Sequence, residues 1–192
     1  KNGREAIQLA NSLEPDVITM DLNMPVLGGL EAIKTITSIH RTPILVISGM
    51  IENQDSDLAF EALRSGAVDI MGKPAGHGER GLLNIKEELL SRIKAVARIR
   101  PIRLVRKALA HSPRIKLRGQ QERREKVVVI GASTGGPPAL AVILKALPPD
   151  FPFPIAIVQH IAPGFVTGLA QWLNRESPFS AKVATNEEPL KA

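Results

Sequence analysis

The stretch Asp16-Val-Ile-Thr-Met-Asp-Leu-Asn-Met-Pro25 decides the fold. A short β-branched apolar run ends on an acid, and Pro25 then stops any strand from continuing. Outward from it, Gly28 to Ile39 has helical spacing, with Leu30, Ile33 and Thr37 on one face. Pro43-Ile-Leu-Val-Ile47 is a second buried-strand run, followed by Ser48-Gly49. Asp55 to Ser65 spaces Leu58, Ala62 and Leu63 as a helix that Gly66 closes. Val68-Asp-Ile-Met71 leads into Gly72-Lys73-Pro74, and Leu82, Ile85, Leu89, Ile93 and Val96 then mark a longer helix. Strands alternating with helices predict an α/β fold with a parallel sheet. At the front, Lys1 to Ala10 reads as the middle of an amphipathic helix, and Glu187 to Ala192 does not resemble a domain end. A fragment cut at both ends is therefore expected, with unpaired strand edges and marginal stability.

Periodicity fails from about Arg98 to Lys126 and resumes at Lys126-Val-Val-Val-Ile130. A Gly-rich turn follows, then a helix from about Pro137 to Leu147, where proline suits a first helical turn. Pro154-Ile-Ala-Ile-Val158 completes a βαβ unit, whose crossover is expected to be right-handed. The domains predicted are 1–97, a linker over 98–126, and 127–192.

The net charge of +6 is unevenly placed. Residues 1–97 carry −3, residues 98–126 carry +9 and residues 127–192 are balanced. The basic stretch reads as a solvated, flexible linker or as a contact for an acidic partner. No aromatic residue interleaves its charges, so it lacks the stacking platforms of single-strand binders, and no nucleic-acid partner is expected. The chain has no cysteine, which excludes disulfides and thiolate chemistry. It shows neither a bilayer-length apolar run nor a signal-peptide pattern, so a cytoplasmic protein without membrane insertion is expected.

In open parallel sheets, reactive residues gather beyond the carboxyl ends of the strands. In the first module that rule selects Asp21, Ser48 and Lys73. A carboxylate acceptor, a hydroxyl donor and a neutralising ammonium could together hold a phosphoryl group. They could equally be the polar rim of an ordinary α/β sheet. Asp16 to Pro25, Ile47-Ser-Gly49, Ser65-Gly-Ala-Val-Asp69 and Gly72-Lys-Pro74 resemble a two-component response-regulator receiver domain, a flavodoxin-like fold. The resemblance implies that Asp21 accepts phosphate, that Ser48 is the switch hydroxyl and Lys73 the invariant lysine, and that Lys73–Pro74 is often cis. It also implies Mg²⁺ held by Asp21 and the Asn23 carbonyl, with an acidic pair lying before Lys1.

In the second module the same rule selects Ser133 and His160. Gly131-Ala-Ser-Thr-Gly135 fits G-x-S-x-G between strand and helix, where glycines permit a sharp turn that exposes Ser133. The Thr134 N–H is the first natural oxyanion donor, and His160 can shuttle the serine proton. A phosphate cradle is the competing use of such a turn, and His160 could be an ordinary strand-end residue. The usual α/β-hydrolase order is Ser, acid, His, but the only acid between Ser133 and His160 is Asp150, in a helix-to-strand loop, so this is not that order. Ile130-Gly-Ala-Ser-Thr-Gly-Gly136, Val158-Gln-His-Ile161 and Pro163-Gly-Phe165 resemble the doubly wound catalytic domain of the chemotaxis protein-glutamate methylesterases (CheB-type). The resemblance implies Ser133 as nucleophile, His160 as base and Thr134 as oxyanion donor, with the aspartate and second donor beyond Ala192. It implies no cofactor for the esterase.

The whole then reads as a phosphorylation-regulated methylesterase of chemoreceptor cytoplasmic helices, able also to deamidate glutamines. A histidine kinase is the phospho-donor, and this fragment is expected to be inactive alone. A response regulator with a binding output, or an esterase outside chemotaxis, remains the alternative.

Overall fold

The computed structural model describes residues 1–49, 53–73, 79–99 and 126–190. Its first unit runs α1 (Gly3–Leu13), β1 (Ile18–Asp21), α2 (Gly29–Ile39), β2 (Ile44–Ser48), α3 (Asn53–Arg64), β3 (Asp69–Gly72) and α4 (Glu79–Val96). The three strands form a parallel sheet in sequence order, with Ile18 opposite Ile44 and Leu45 opposite Asp69. β2 is central, and its residues are buried on both faces, as a parallel strand between helix layers must be. Leu45 and Met71 face the α4 side with Val96, whereas Ile44, Val46 and Ile70 join Ile33, Ile36 and Phe60 from α2 and α3. This is the expected α/β architecture.

The expectation that Lys1 to Ala10 lies inside a helix is corrected. Asn2 is the N-cap of α1, its side-chain oxygen accepting from the Arg4 and Glu5 N–H groups at 3.0 and 3.1 Å. A side-chain acceptor at that position satisfies two of the amides a helix start leaves open, so helical geometry begins at Gly3. α3 ends as expected at Gly66, with φ +108°. The Gly66 N–H donates to the Leu63 carbonyl and the Ala67 N–H to the Ala62 carbonyl, a Schellman closure. The basic stretch over 98–126 lies outside the described residues except for its ends, as does Pro74 with its peptide bond.

The second unit runs β4 (Val128–Ala132), α5 (Gly136–Ala146), β5 (Ile155–Gln159), a 3₁₀ turn (Pro163–Phe165) and α6 (Val166–Glu176). β4 and β5 pair in parallel, Val128 opposite Ile155 and Ala132 opposite Gln159. Leu140 and Leu144 of α5 and Leu169, Trp172 and Leu173 of α6 are buried in the same apolar cluster as Phe60. Among the described residues no helix is long and apolar enough to cross a membrane.

Candidate active site

At the carboxyl edge of the first sheet, β1 delivers Asp21 opposite Ile47, and β2 delivers Ser48 opposite Gly72. Lys73 follows β3, and its Nζ donates to Asp21 Oδ2 at 2.6 Å. The Asn23 N–H donates to the other carboxylate oxygen, Oδ1, at 3.2 Å. Ser48 is buried, and its hydroxyl points to the Gly49 carbonyl at 3.5 Å rather than to Asp21. The edge therefore brings Asp21 and Lys73 into contact across the end of β2, the strand that carries Ser48 between them. Gly29 explains how α2 sits so close behind Asp21. A β-carbon there would stand 1.9 Å from the Asp21 carbonyl oxygen. The Asp21 carboxylate and the Asn23 carbonyl are hard oxygen donors of the kind Mg²⁺ takes alongside water and phosphoryl oxygens. Among the described residues no cluster of three or more His, Cys, Asp or Glu could hold a metal by itself.

At the second edge, Ser133 follows β4 and His160 follows β5. The strand ladder brings them together: the His160 N–H donates to the Ala132 carbonyl at 2.8 Å, and Ser133 Oγ lies 3.2 Å from His160 Nδ1. Both residues are exposed. The contact uses Nδ1, so a neutral His160 acting as base must carry its proton on Nε2. Nε2 is then the nitrogen that an orienting carboxylate would engage.

The turn differs from the sequence expectation in one respect. Ser133 is absent from the residues with positive φ, and Gly131 has ordinary strand geometry with open space where a side chain would go. Only Gly135, at φ +73°, uses glycine's freedom. The strain typical of a nucleophile elbow is therefore missing, and the turn is a looser strand-to-helix corner. α5 begins Gly136-Pro137-Pro138, and those prolines contribute no N–H. The Gly136 N–H donates to the Ser133 carbonyl at 2.7 Å. Thr134 and Gly135 N–H groups donate to no acceptor among the described residues, which leaves two amides beside Ser133 able to meet an anionic oxygen.

Two features carry no role in the sequence reading. Gln159, the last residue of β5, donates from Nε2 to the carbonyls of both Ser133 and His160. In the sequence it is no more than a long amide next to His160, and the glycine it packs on, Gly136, is 23 residues away. The second is the Asp69–Arg92 ion pair at 3.0 Å, with both residues buried. Burial pushes the Asp69 carboxyl above the ordinary carboxylate range, while Arg92, an Ile70 backbone contact and, least, the charge of His160 pull it back. The next residue inward, Val68, lies with Ile99 against the serine turn. A β-carbon on Gly135 would stand 3.3 Å from Ile99 Cδ1 and 4.0 Å from Val68 Cγ1.

Family models agree with this two-part layout. That for the response regulator receiver domain matches residues 1–82, and that for CheB methylesterase matches residues 128–192. A protein-glutamate methylesterase/protein-glutamine glutaminase 2 of Anaeromyxobacter dehalogenans is 42% identical over 195 residues, covering 100% of this chain and 54% of that protein. The protein-glutamate methylesterase/protein-glutamine glutaminase of Thermotoga maritima is 39% identical over 191 residues, again covering 100% and 54%. The crystal structure of the response regulator domain of Thermotoga maritima CheB is 40% identical, covers 53% of this chain and 75% of that one, and has a TM-score of 0.47. The chain spans about half the length of the curated relatives it matches. With a flavodoxin-like receiver domain followed by methylesterase-domain sequence, the chain belongs to the CheB-type protein-glutamate methylesterase family.

Proposed function

We propose that the protein is a phosphorylation-regulated protein-glutamate methylesterase that acts on chemoreceptor cytoplasmic helices in the cytoplasm. The observation that carries this reading is the 3.2 Å approach of Ser133 Oγ to His160 Nδ1 at the ends of paired strands. Residues 1–97 form the receiver, 98–126 the linker and 127–192 the esterase portion.

Ser133 Oγ attacks the γ-carbonyl carbon of a glutamate methyl ester as its proton passes to His160 Nδ1. The Thr134 N–H donates to the developing oxyanion. When the tetrahedral intermediate collapses, the carbon–methoxy bond breaks and His160 returns the proton, releasing methanol. Water, deprotonated by the same imidazole, then cleaves the acyl-serine to free the glutamate carboxylate and regenerate Ser133. A glutamine side chain would follow the same path with ammonia as the leaving group, and none of these steps needs a cofactor.

In the receiver, Asp21 takes the phosphoryl group from a histidine kinase, with Lys73 neutralising charge and Ser48 donating to a phosphoryl oxygen. Asp21 and the Asn23 carbonyl would hold Mg²⁺, which when bound supplies charge neutralisation for the transfer. Before phosphorylation the receiver restrains the esterase edge, a reading supported by Ile99 and Val68 standing 3.3 and 4.0 Å from where a β-carbon on Gly135 would be. Ser133→Ala in the full-length protein tests the enzyme reading. Methanol release from a methylated receptor should fall by at least about 10³-fold while folding is unchanged. Retained release would refute it.

A further inference from the structure

We propose that Gln159 is a positioning residue of the esterase site, its carboxamide tying the backbone of the nucleophile to the backbone of the base. The inference rests on the methylesterase reading. The strand ladder that aligns the two halves of the site ends at Ala132 opposite Gln159, and its last bond runs from the His160 N–H to the Ala132 carbonyl. Ser133 lies one residue past that point, so the ladder itself does not fix its backbone. The Gly136 N–H holds the Ser133 carbonyl locally at 2.7 Å, and Gln159 supplies the tie from the neighbouring strand. Its Nε2 donates to the Ser133 carbonyl at 2.9 Å and to the His160 carbonyl at 3.2 Å. One amide group thus grips the main chain of both reacting residues, across 26 residues of sequence in the case of Ser133.

Two further observations favour this role over simple space filling. Gly136 is shaped around the carboxamide: a β-carbon there would stand 2.1 Å from Gln159 Oε1 and 2.9 Å from both Cδ and Nε2. Oε1, in turn, is buried and without a hydrogen-bond partner. A buried acceptor left unsatisfied is a penalty that an apolar side chain of equal length would avoid. What glutamine offers in exchange is the pair of N–H donors on Nε2. The Ser133 carbonyl belongs to the peptide that carries the Thr134 N–H, so the Gln159 amide, acting with the Gly136 N–H, orients the nucleophile and the adjacent oxyanion donor together.

The test compares full-length wild type with Gln159→Met, which keeps length and bulk but removes both donors, and Gln159→Glu, which aims an anion at two carbonyl oxygens. For hydrolysis of a glutamyl methyl ester, kcat should fall about 100-fold in Gln159→Met with KM unchanged, as expected for a displacement of roughly an ångström at the reacting atoms. Gln159→Glu should be worse near neutral pH. Its rate relative to wild type should improve as acid protonates the new carboxyl and restores one donor. Gly136→Ala, which displaces the carboxamide without altering it, should show the same kcat loss and serves if Gln159→Met does not fold. A space-filling role predicts lowered thermal stability with kcat retained, and a Gln159→Met kcat within twofold of wild type would overturn the proposal. A crystal structure of Gln159→Met decides the matter without activity: unchanged Ser133 Oγ–His160 Nδ1 spacing also overturns it. Active wild type, inactive Ser133→Ala and active Gln159→Met would sink this inference alone. An inactive wild type would count against the methylesterase reading, with the spacing in Gln159→Met still testing Gln159.

Discussion

Arg92 holds three acceptors from a site only 5% exposed: Asp69 Oδ2 at 3.0 Å, the Ile70 carbonyl at 3.3 Å and Glu88 Oε1 at 3.0 Å. Glu88 is half-exposed, and such a pair contributes little. Asp69 is different, because losing its partner would strand a buried carboxyl group. Arg92→Met should therefore cost about 3–5 kcal/mol in chemical denaturation, most of it from the orphaned acid. The pH dependence has a definite sign. Burial raises the folded pKa of Asp69 above its unfolded value, so between the two values the folded state binds the extra proton. The stability this group contributes is present below the unfolded carboxylate pKa and declines as pH rises through the folded one. Removing Arg92 takes away a charge that holds this pKa down, so the decline should become larger. Urea midpoints of Arg92→Met should fall further behind wild type in mildly alkaline buffer than in mildly acidic buffer; a constant gap would contradict the assignment. Asp69 shows what was legible at this scale. Asp21, Ser133 and His160 could be picked out because each ends or directly follows a strand and its chemistry is carried by residue type. Asp69 belongs to the same quoted motif as Gly66, but its partner lies 23 residues away on another element. Gln159 sits beside His160 in sequence, yet its function lies in where its amide reaches. Neither role leaves a local pattern.

Among the elements, composition identifies the strands and pairing sets their limits. The β-branched run from Asp16 predicts a strand that ends at Met20, whereas the ladder starts at Ile18 opposite Ile44 and takes in Asp21 opposite Ile47. Likewise β2 includes Ser48, which pairs with Gly72. Hydrogen bonding to a neighbour continues past the last apolar residue, so the polar edge residues are held by the sheet rather than by the loops. α2 must then start close to the end of β1. The Gly29 N–H donates to the Leu22 carbonyl at 2.9 Å, and the absent side chain is what lets that helix rest on the Asp21 peptide. Gly29→Ala would place a β-carbon 1.9 Å from the Asp21 carbonyl oxygen and 2.8 Å from Leu22 Cα, both backbone atoms that cannot rotate aside. It should destabilise the receiver by at least about 1–3 kcal/mol and displace Asp21 from Lys73. Thermal denaturation and phosphorylation by a small-molecule phospho-donor measure the two effects. A Gly29→Ala protein with wild-type melting and phosphorylation would show that α2 does not set the Asp21 backbone.

Across the whole molecule, the receiver meets the esterase portion through α3 and α6. Phe60 of α3 is fully buried, stacks on Trp172 at 5.7 Å between centroids and meets Phe165 edge-on at 6.5 Å. Two ion pairs flank it, Arg175 with Asp57 at 3.0 Å and Arg64 with Glu176 at 3.5 Å. These pairs have exposed members and guide alignment more than they hold the contact, whereas the aromatic cluster supplies the attraction. None of this was legible in the sequence, since the pairing joins helices more than a hundred residues apart. Gly168 is what allows the approach: a β-carbon on it would stand 2.2 Å from Ser56 Oγ and 2.7 Å from Phe60 Cε2. Gly168→Leu should therefore separate α3 from α6 without touching Ser133, His160 or Asp21. If docking of the receiver restrains the esterase edge, the unphosphorylated full-length variant should hydrolyse ester at a rate approaching that of the phosphorylated wild type, and phospho-donor should add little. Trp172 is the only tryptophan in the chain, so its emission reports the same event independently and should shift to longer wavelength as the Phe60 stack opens. A red shift with no gain in rate would mean that the α3–α6 contact holds the two parts together without restraining catalysis. In that case Val68 and Ile99, which stand beside the Gly135 turn, would have to provide the restraint alone.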